Sequence, residues 1–128
     1  MDTIGKHLLE RRRYIRLDIS APISYTFPDN RKIYKAVTKN ISADGIRFEA
    51  HHKTLDVAGV IDVTLSIPGP AHPVHARCRV IWKRKVSLED KAPFDIGVEI
   101  IELGEEDKNL FLKFLCDALY SLAPEKKR

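Results

Sequence analysis

Residues 74–83 read VHARCRVIWK, a stretch in which apolar and polar side chains alternate with a period of two. That period is typical of a β-strand with one face buried and the other in water. For Trp82 the core is the expected position, and an outward position beside a ligand is the alternative. The stretch therefore predicts a strand whose buried face comprises Val74, Ala76, Cys78, Val80 and Trp82.

The same alternation recurs on both sides of this stretch, at residues 15–19, 23–27, 46–50, 60–67 and 94–103. A further strand is predicted from about Arg31 to Ile41, with Ile33, Val37 and Ile41 on one face. Turn-forming sequences separate the segments: PDN at 28–30, SADG at 42–45, a polar loop at 51–59 and GPAHP at 69–73. We therefore predict about six short antiparallel strands, a pattern that favours a barrel or a sandwich.

The period changes after Glu105, where apolar residues recur at helical spacing up to Leu122. Three acidic residues occupy the first turn, where they suit the helix dipole, and Pro124 follows the last turn. The sequence predicts an amphipathic helix over about 105–122 that caps the sheet. The expected fold is mainly β, a six-stranded antiparallel barrel with a C-terminal amphipathic α-helix.

The composition is that of one folded domain. The chain has 128 residues, 44% of them hydrophobic and 31% charged, which excludes a disordered chain. No apolar run is long enough to span a membrane, and the first ten residues do not resemble a signal peptide. Cys78 and Cys116 lie in apolar periodic segments, so we expect buried thiols in a reducing compartment and a cytoplasmic protein.

The net charge of +4 is too small for a protein devoted to long nucleic acid, where many phosphates must be neutralised. Basic residues concentrate at 11–16, 31–39 and 77–85, beside predicted strands, and this favours a small anionic ligand. The sequence has no P-loop and no dinucleotide-binding glycine pattern. Its histidines lack partners at metal-binding spacing. We predict a protein that is not an enzyme and holds no metal or cofactor.

Two arginines stand out at the start of the foldable region. Arg12 and Arg16 are four residues apart, a spacing that puts both side chains on one face and lets them contact one ligand. Guanidinium groups stay charged and bind phosphate or a guanine edge through two parallel hydrogen bonds. The alternative is an exposed basic stretch without a ligand.

The second feature is NISADG at residues 40–45. Asn40 and Ser42 occupy alternate strand positions and so present polar groups on one face, while Gly45 allows close backbone approach. The alternative is a simple hairpin turn in which Asp44 and Gly45 take unusual backbone angles and the polar side chains bond only to nearby backbone.

Together, an RxxxR leading into the first strand and an NxSxxG between the second and third strands resemble the PilZ domain family. The flanking stretches RRRYIRLDISAPISY and FDIGVEIIEL are similar to the family's opening and last strand, so the resemblance covers roughly Glu10 to Leu119. It implies an N-terminal arm at 1–9, a PilZ domain at 10–122 with its barrel at about 15–103, and a basic tail at 123–128.

The resemblance also implies a function, a bacterial receptor or adaptor for the second messenger cyclic di-GMP. Arg12 and Arg16 would grip its phosphates and guanines, Asn40 and Ser42 would read a guanine, and Gly45 would shape the turn. Arg11, directly before RxxxR, favours two stacked ligands per chain.

We expect the ligand to order residues 1–14 over the barrel and so create a surface for a protein partner that the sequence does not identify. The alternative functions are a nucleotide-independent interaction module in motility or pilus regulation, and a small oligonucleotide-binding barrel. An oligonucleotide-binding function would need exposed aromatic side chains among the basic residues.

Overall fold

Six antiparallel strands close into a barrel in the computed structural model, which describes residues 15–51, 55–68 and 72–122. The strands are β1 (Pro22–Phe27), β2 (Asn30–Ser42), β3 (Gly45–Ala50), β4 (Val60–Leu65), β5 (Val74–Lys85) and β6 (Phe94–Leu103). Their order around the barrel is β1-β2-β3-β6-β5-β4, and pairing of β1 with β4 closes it. The predicted fold class is confirmed.

The inward-pointing side chains of the strands fill the barrel interior. On β5, Val74, Ala76, Cys78 and Val80 are buried, as their alternation predicts. Burial raises the pKa of the Cys78 thiol to about 12, so this cysteine remains protonated. Leu55 is also fully buried, although the segment 51–59 was predicted to be a polar loop. The apolar residues of this segment follow no period, and Val57 is 57% exposed, so the local sequence does not indicate that Leu55 joins the core.

The helix α1 (Glu105–Leu122) follows β6 directly and closes one end of the barrel. Its first turn carries Glu105, Glu106 and Asp107, as predicted. Phe111 and Leu115, four residues apart, are the buried positions of its apolar stripe. Cys116 was predicted to be buried and is exposed, because it lies off the stripe that Phe111 and Leu115 define. Within the described residues, no helix has the length and apolarity that crossing a membrane requires.

The prediction that Ile33, Val37 and Ile41 lie on one face of β2 is wrong. Ile33 and Val37 are 62% and 55% exposed, whereas Ile41 is fully buried. The β2–β3 register shifts between Thr38 and Asn40, and the extra residue of this bulge reverses the inward and outward sets. Before the bulge Thr38 points inward and its hydroxyl accepts the Ala21 N–H at 2.9 Å. After the bulge, Ile41 points inward.

The alternating segment at residues 15–19 does not form a strand. It makes one isolated bridge, in which the Leu17 N–H donates to the Ile41 oxygen at 2.8 Å and the Ile41 N–H donates back at 2.9 Å. Leu17 is buried, but Ile15 is 63% exposed, so the prediction that both point the same way is wrong. Four residues later, Ala21 accepts the Thr38 N–H at 3.0 Å. The segment therefore lies antiparallel along the second half of β2.

Candidate functional site

A cleft on the barrel surface brings together four of the residues that the motifs single out. It is lined by Arg16, Asn40, Ser42, Asp44, Gly45, Ile46, Arg47, Ile81, Trp82, Gly97, Val98 and Glu99. Arg16 comes from the leading segment, Asn40 and Ser42 from the end of β2, and Gly45 from the start of β3. Arg11 and Arg12 lie outside the described residues. Their contacts, and the ligand contacts of the other four residues, remain predictions.

The Leu17–Ile41 bridge explains how Arg16 reaches the cleft. Leu17 is buried, so its neighbour Arg16 points to the outside of the barrel, and it is exposed. On β2, Asn40 and Ser42 flank Ile41, the residue to which Leu17 is paired. Because the two chains run side by side at this point, the guanidinium and the two polar side chains border one cleft.

The β2–β3 turn is tight and internally bonded. The Ser42 hydroxyl donates to the Asp44 carboxylate at 2.6 Å, and the Asp44 carbonyl accepts the Ile100 N–H at 2.9 Å. Asp44 and Gly45 were expected to have unusual backbone angles in the hairpin alternative, but neither has a positive φ. Glycine is required at position 45 for another reason, since a Cβ there would lie 2.6 Å from the carbonyl oxygen of Val98. This matches the predicted close backbone approach.

Trp82 was predicted to lie in the core, but it borders the cleft on the outer face. The β5–β6 register shifts between Val80 and Trp82, and the bulge reverses the alternation that buries Val80. Trp82 is paired with Gly97, where an added Cβ would overlap the indole ring. The indole therefore lies directly on the backbone of β6. The glycine in the middle of β6 was the sequence signal for this close contact.

Arg47 is another cleft residue that lies outside the two motifs. Its Nη2 donates to Asp95 Oδ2 at 2.7 Å, and its Cζ lies 5.8 Å from the centre of the Trp82 ring. Its Nε–H is buried and has no hydrogen-bond partner among the described residues. Arg84 approaches Trp82 similarly, with its Cζ at 5.5 Å from the ring centre. Two guanidinium groups thus lie within cation–π distance of one indole.

Asp95 connects two of the predicted basic clusters, those at 31–39 and 77–85. Lys39 donates to Asp95 Oδ1 at 2.9 Å, and Arg84 lies 3.4 Å from Oδ2. Lys39 also pairs with Glu49 at 2.6 Å. Burial alone would raise the pKa of Asp95, but the hydrogen bonds and charges of Arg47 and Lys39 outweigh burial and lower the pKa to about 2. Asp95 is therefore ionised at neutral pH.

The cleft offers groups that suit an anion carrying flat polar rings. Arg16 and Arg47 supply positive charge, Trp82 supplies an aromatic surface, and Asn40 supplies an amide. Asp44 and Glu99 add carboxylates that can accept N–H groups. A larger groove of about 690 Å³ lies beside α1, but it is lined mainly by apolar side chains such as Ile67, Leu110 and Phe114. The lysine of that groove, Lys113, pairs with Asp117 at 3.0 Å, and no arginine or amide side chain is among its described lining residues.

The PilZ domain family matches residues 10–116 of the chain. No curated protein sequence matches it significantly. Among solved structures, the chain is similar to the Bacillus subtilis inhibitor of motility MotI/DgrA, with a TM-score of 0.70 and 16% identity. The match covers 88% of this chain and 52% of MotI/DgrA, so the chain spans about half the length of that protein.

Two of the similar structures are complexes with c-di-GMP. One is the PilZ domain of YcgR from Escherichia coli with c-di-GMP, with a TM-score of 0.61 and 14% identity, covering 87% of this chain and 96% of that one. The other is the K. pneumonia MrkH–c-di-GMP complex, with a TM-score of 0.69 and 16% identity, covering 87% and 53%. At these identities the likeness shows a shared fold.

Proposed function

Because the chain belongs to the PilZ domain family, we propose that it is a cyclic di-GMP receptor that passes the signal to a protein partner. One observation carries the proposal. Arg16, from RxxxR, lines the same cleft as Asn40, Ser42 and Gly45, from NxSxxG, and this supports the proposal. These motifs are 24 residues apart, counted from Arg16 to Asn40, and a shared ligand gives a reason for their convergence.

The chemistry of cyclic di-GMP matches the groups of the cleft. Each guanine offers O6 and N7 to an arginine, and its face can stack on an aromatic ring or a guanidinium plane. Its N1–H and N2–H₂ donors suit the Asn40 amide oxygen and the Asp44 or Glu99 carboxylate. The two phosphates suit Arg16 and Arg47. We propose that Trp82 and Arg47 belong to the binding site together with the motif residues.

The remaining predicted contacts come from the chain before Ile15. In the proposal, Arg12 binds the same ligand as Arg16, and Arg11 holds a second, stacked ligand, giving two per chain. Arg16 lines the cleft directly before the Leu17–Ile41 bridge, and Arg12 and Arg11 precede it in the sequence by only four and five residues. A second dinucleotide adds two phosphates, and a third arginine helps to neutralise them.

Isothermal titration with cyclic di-GMP tests this function. We expect micromolar or tighter binding that saturates at two ligands per chain. GMP and single-stranded oligonucleotides of equal charge are expected not to compete, because neither presents two guanines on a closed ring. Saturation at one ligand contradicts the role of Arg11. Absence of binding contradicts the receptor proposal and favours the nucleotide-independent interaction module.

We propose that the signal leaves through the N-terminal segment, which the ligand orders over the barrel. Hydrogen exchange of residues 5–16 is expected to slow when saturating cyclic di-GMP is added, because Arg11, Arg12 and Arg16 then share a ligand with the barrel. Exchange in β4, which does not line the cleft, serves as the internal control. Unchanged exchange at residues 5–16 in ligand-saturated protein contradicts this mechanism while leaving binding itself intact.

A further inference from the structure

We infer that Asp95 is a positioning residue of the cleft: its carboxylate holds the Arg47 guanidinium beside Trp82 in the orientation that a ligand requires. The inference rests on the proposed cyclic di-GMP function and adds a residue that neither motif contains. Asp95 does not line the cleft itself and acts through Arg47, which does.

Strand register explains why Asp95 can act on this cleft. On β6, Asp95 and Gly97 are two residues apart and so point to the same, outer face. Gly97 is paired with Arg47 on β3 and with Trp82 on β5. Asp95 is paired with Glu49 and Arg84, the next outward residues on the same two strands. Arg84 therefore lies level with Asp95, and Arg47 lies level with Gly97, two residues further along β6. Both arginine side chains contact the Asp95 carboxylate.

The Asp95 carboxylate is buried and contacts three cationic side chains. Its side chain is 5% exposed although it points away from the barrel interior, because cationic side chains cover it. Oδ2 accepts Arg47 at 2.7 Å and lies 3.4 Å from Arg84, while Oδ1 accepts Lys39 at 2.9 Å. The Arg47 side chain remains 32% exposed, so it is held without being removed from water.

The cations around Asp95 outnumber the carboxylates that they contact, so Asp95 orients the arginine without cancelling the positive charge of this cluster. Lys39, Arg47 and Arg84 face two carboxylates, Asp95 and Glu49, which leaves one net positive charge. A long arginine side chain that is already ordered loses less conformational freedom when a ligand binds. Fixing Arg47 over the indole face therefore lowers the cost of forming the complex.

Two physical effects predict opposite results for the Asp95→Asn variant, and this makes the inference testable. Removing a negative charge beside the cleft raises the local positive potential, which by itself strengthens binding of a dianion. Releasing Arg47 from its anchor weakens binding, because the side chain must be ordered on association. If Asp95 positions Arg47, the second effect dominates and D95N binds more weakly.

The experiment is a double-mutant cycle with cyclic di-GMP as the probe, measured by calorimetry on wild type, D95N, R47Q and D95N/R47Q. We expect D95N to weaken binding about tenfold, the effect of having to order one long side chain on association. R47Q is expected to weaken it at least as much, and D95N to have no further effect in the R47Q background. Asp62→Asn is the matched control, since it removes a carboxylate that pairs with Arg77 at 3.1 Å outside the cleft.

A second readout needs no ligand. Trp82 is the single tryptophan of the chain, so its fluorescence reports the cation–π contacts with Arg47 and Arg84 directly. We expect D95N to shift the emission of the free protein and to increase quenching by acrylamide, and D62N to change neither. Unchanged emission and quenching in a folded D95N protein overturns the inference.

The outcomes separate the inference from the proposed function. If wild type does not bind cyclic di-GMP, the proposed function fails, and the fluorescence of ligand-free D95N still decides whether Asp95 orders the arginines. If wild type binds and D95N binds equally or more tightly, Asp95 has no positioning role. The positioning role is also overturned if the affinity losses of D95N and R47Q add up in the double mutant. If D95N does not fold, Arg47→Lys replaces it: lysine keeps the charge but lacks the planar fork, so equal affinity in R47K contradicts the inference.

Discussion

Replacing Arg16 with alanine is expected to abolish cyclic di-GMP binding at micromolar concentrations while leaving the melting temperature almost unchanged. Micromolar affinity corresponds to about −8 kcal/mol, and each hydrogen bond to a charged group contributes roughly 1.5–3 kcal/mol. An arginine that makes two such bonds therefore accounts for at least a hundredfold in affinity, about 2.7 kcal/mol. The same loss is expected for Arg12→Ala, which removes the other arginine of RxxxR.

The expected thermal stability of R16A follows from the position of the side chain. Arg16 is exposed, while the backbone hydrogen bonds that hold the segment belong to Leu17 and Ile41. Substitutions at exposed positions without special contacts usually change the free energy of unfolding by less than about 0.5 kcal/mol. Calorimetry and thermal denaturation of the same preparation therefore separate binding from folding.

Arg77→Ala is the matched control for this prediction. Arg77 is an outward arginine on β5 that pairs with Asp62 at 3.1 Å and Glu102 at 3.6 Å, and it does not line the cleft. Its loss changes the net charge by the same amount as R16A, so both variants weaken long-range attraction equally. An R16A protein that binds as well as R77A contradicts a direct contact between Arg16 and the ligand.

The sequence predicts the barrel well where a strand keeps one period from end to end. The residues of β3 and β4 alternate strictly between buried and partly exposed, so composition and spacing are sufficient there. Prediction fails on β2 and β5, where a bulge shifts the register. A bulge adds one residue to one strand of a pair, and its position is set by the pairing partner, which the local sequence does not contain.

Some residues of the candidate site can be predicted from the local sequence, whereas others depend on pairing with distant strands. Asn40, Ser42 and Gly45 are predicted from a short motif at a turn, which needs no information about distant strands. Trp82 is missed as a cleft residue because the bulge after Val80 turns it outward. Asp95 alternates with apolar neighbours and so reads as an ordinary solvent-facing residue of β6. Its burial depends on Lys39, Arg47 and Arg84, which come from three other strands.

The largest expected loss of stability comes from truncating Phe111 to alanine. Phe111 is 1% exposed and packs at the end of the barrel near Leu65, Val74 and Leu103. Replacing a buried phenylalanine by alanine costs about 3–5 kcal/mol, from lost burial and from the cavity left behind. Because total stabilities of domains are about 5–15 kcal/mol, F111A is expected to lower the melting temperature by roughly 10–20 °C.

Tyr120→Ala provides the control on the same helix, since Tyr120 is 85% exposed and its loss is expected to change stability by less than about 0.5 kcal/mol. Phe111 does not line the cleft, so F111A protein that is still folded at low temperature is expected to bind cyclic di-GMP normally. Thermal denaturation followed by circular dichroism, with calorimetry at 10 °C, measures both properties. A melting temperature equal to that of Y120A means that α1 does not close the barrel as described. Weakened binding in folded F111A means that the helix end and the cleft are coupled.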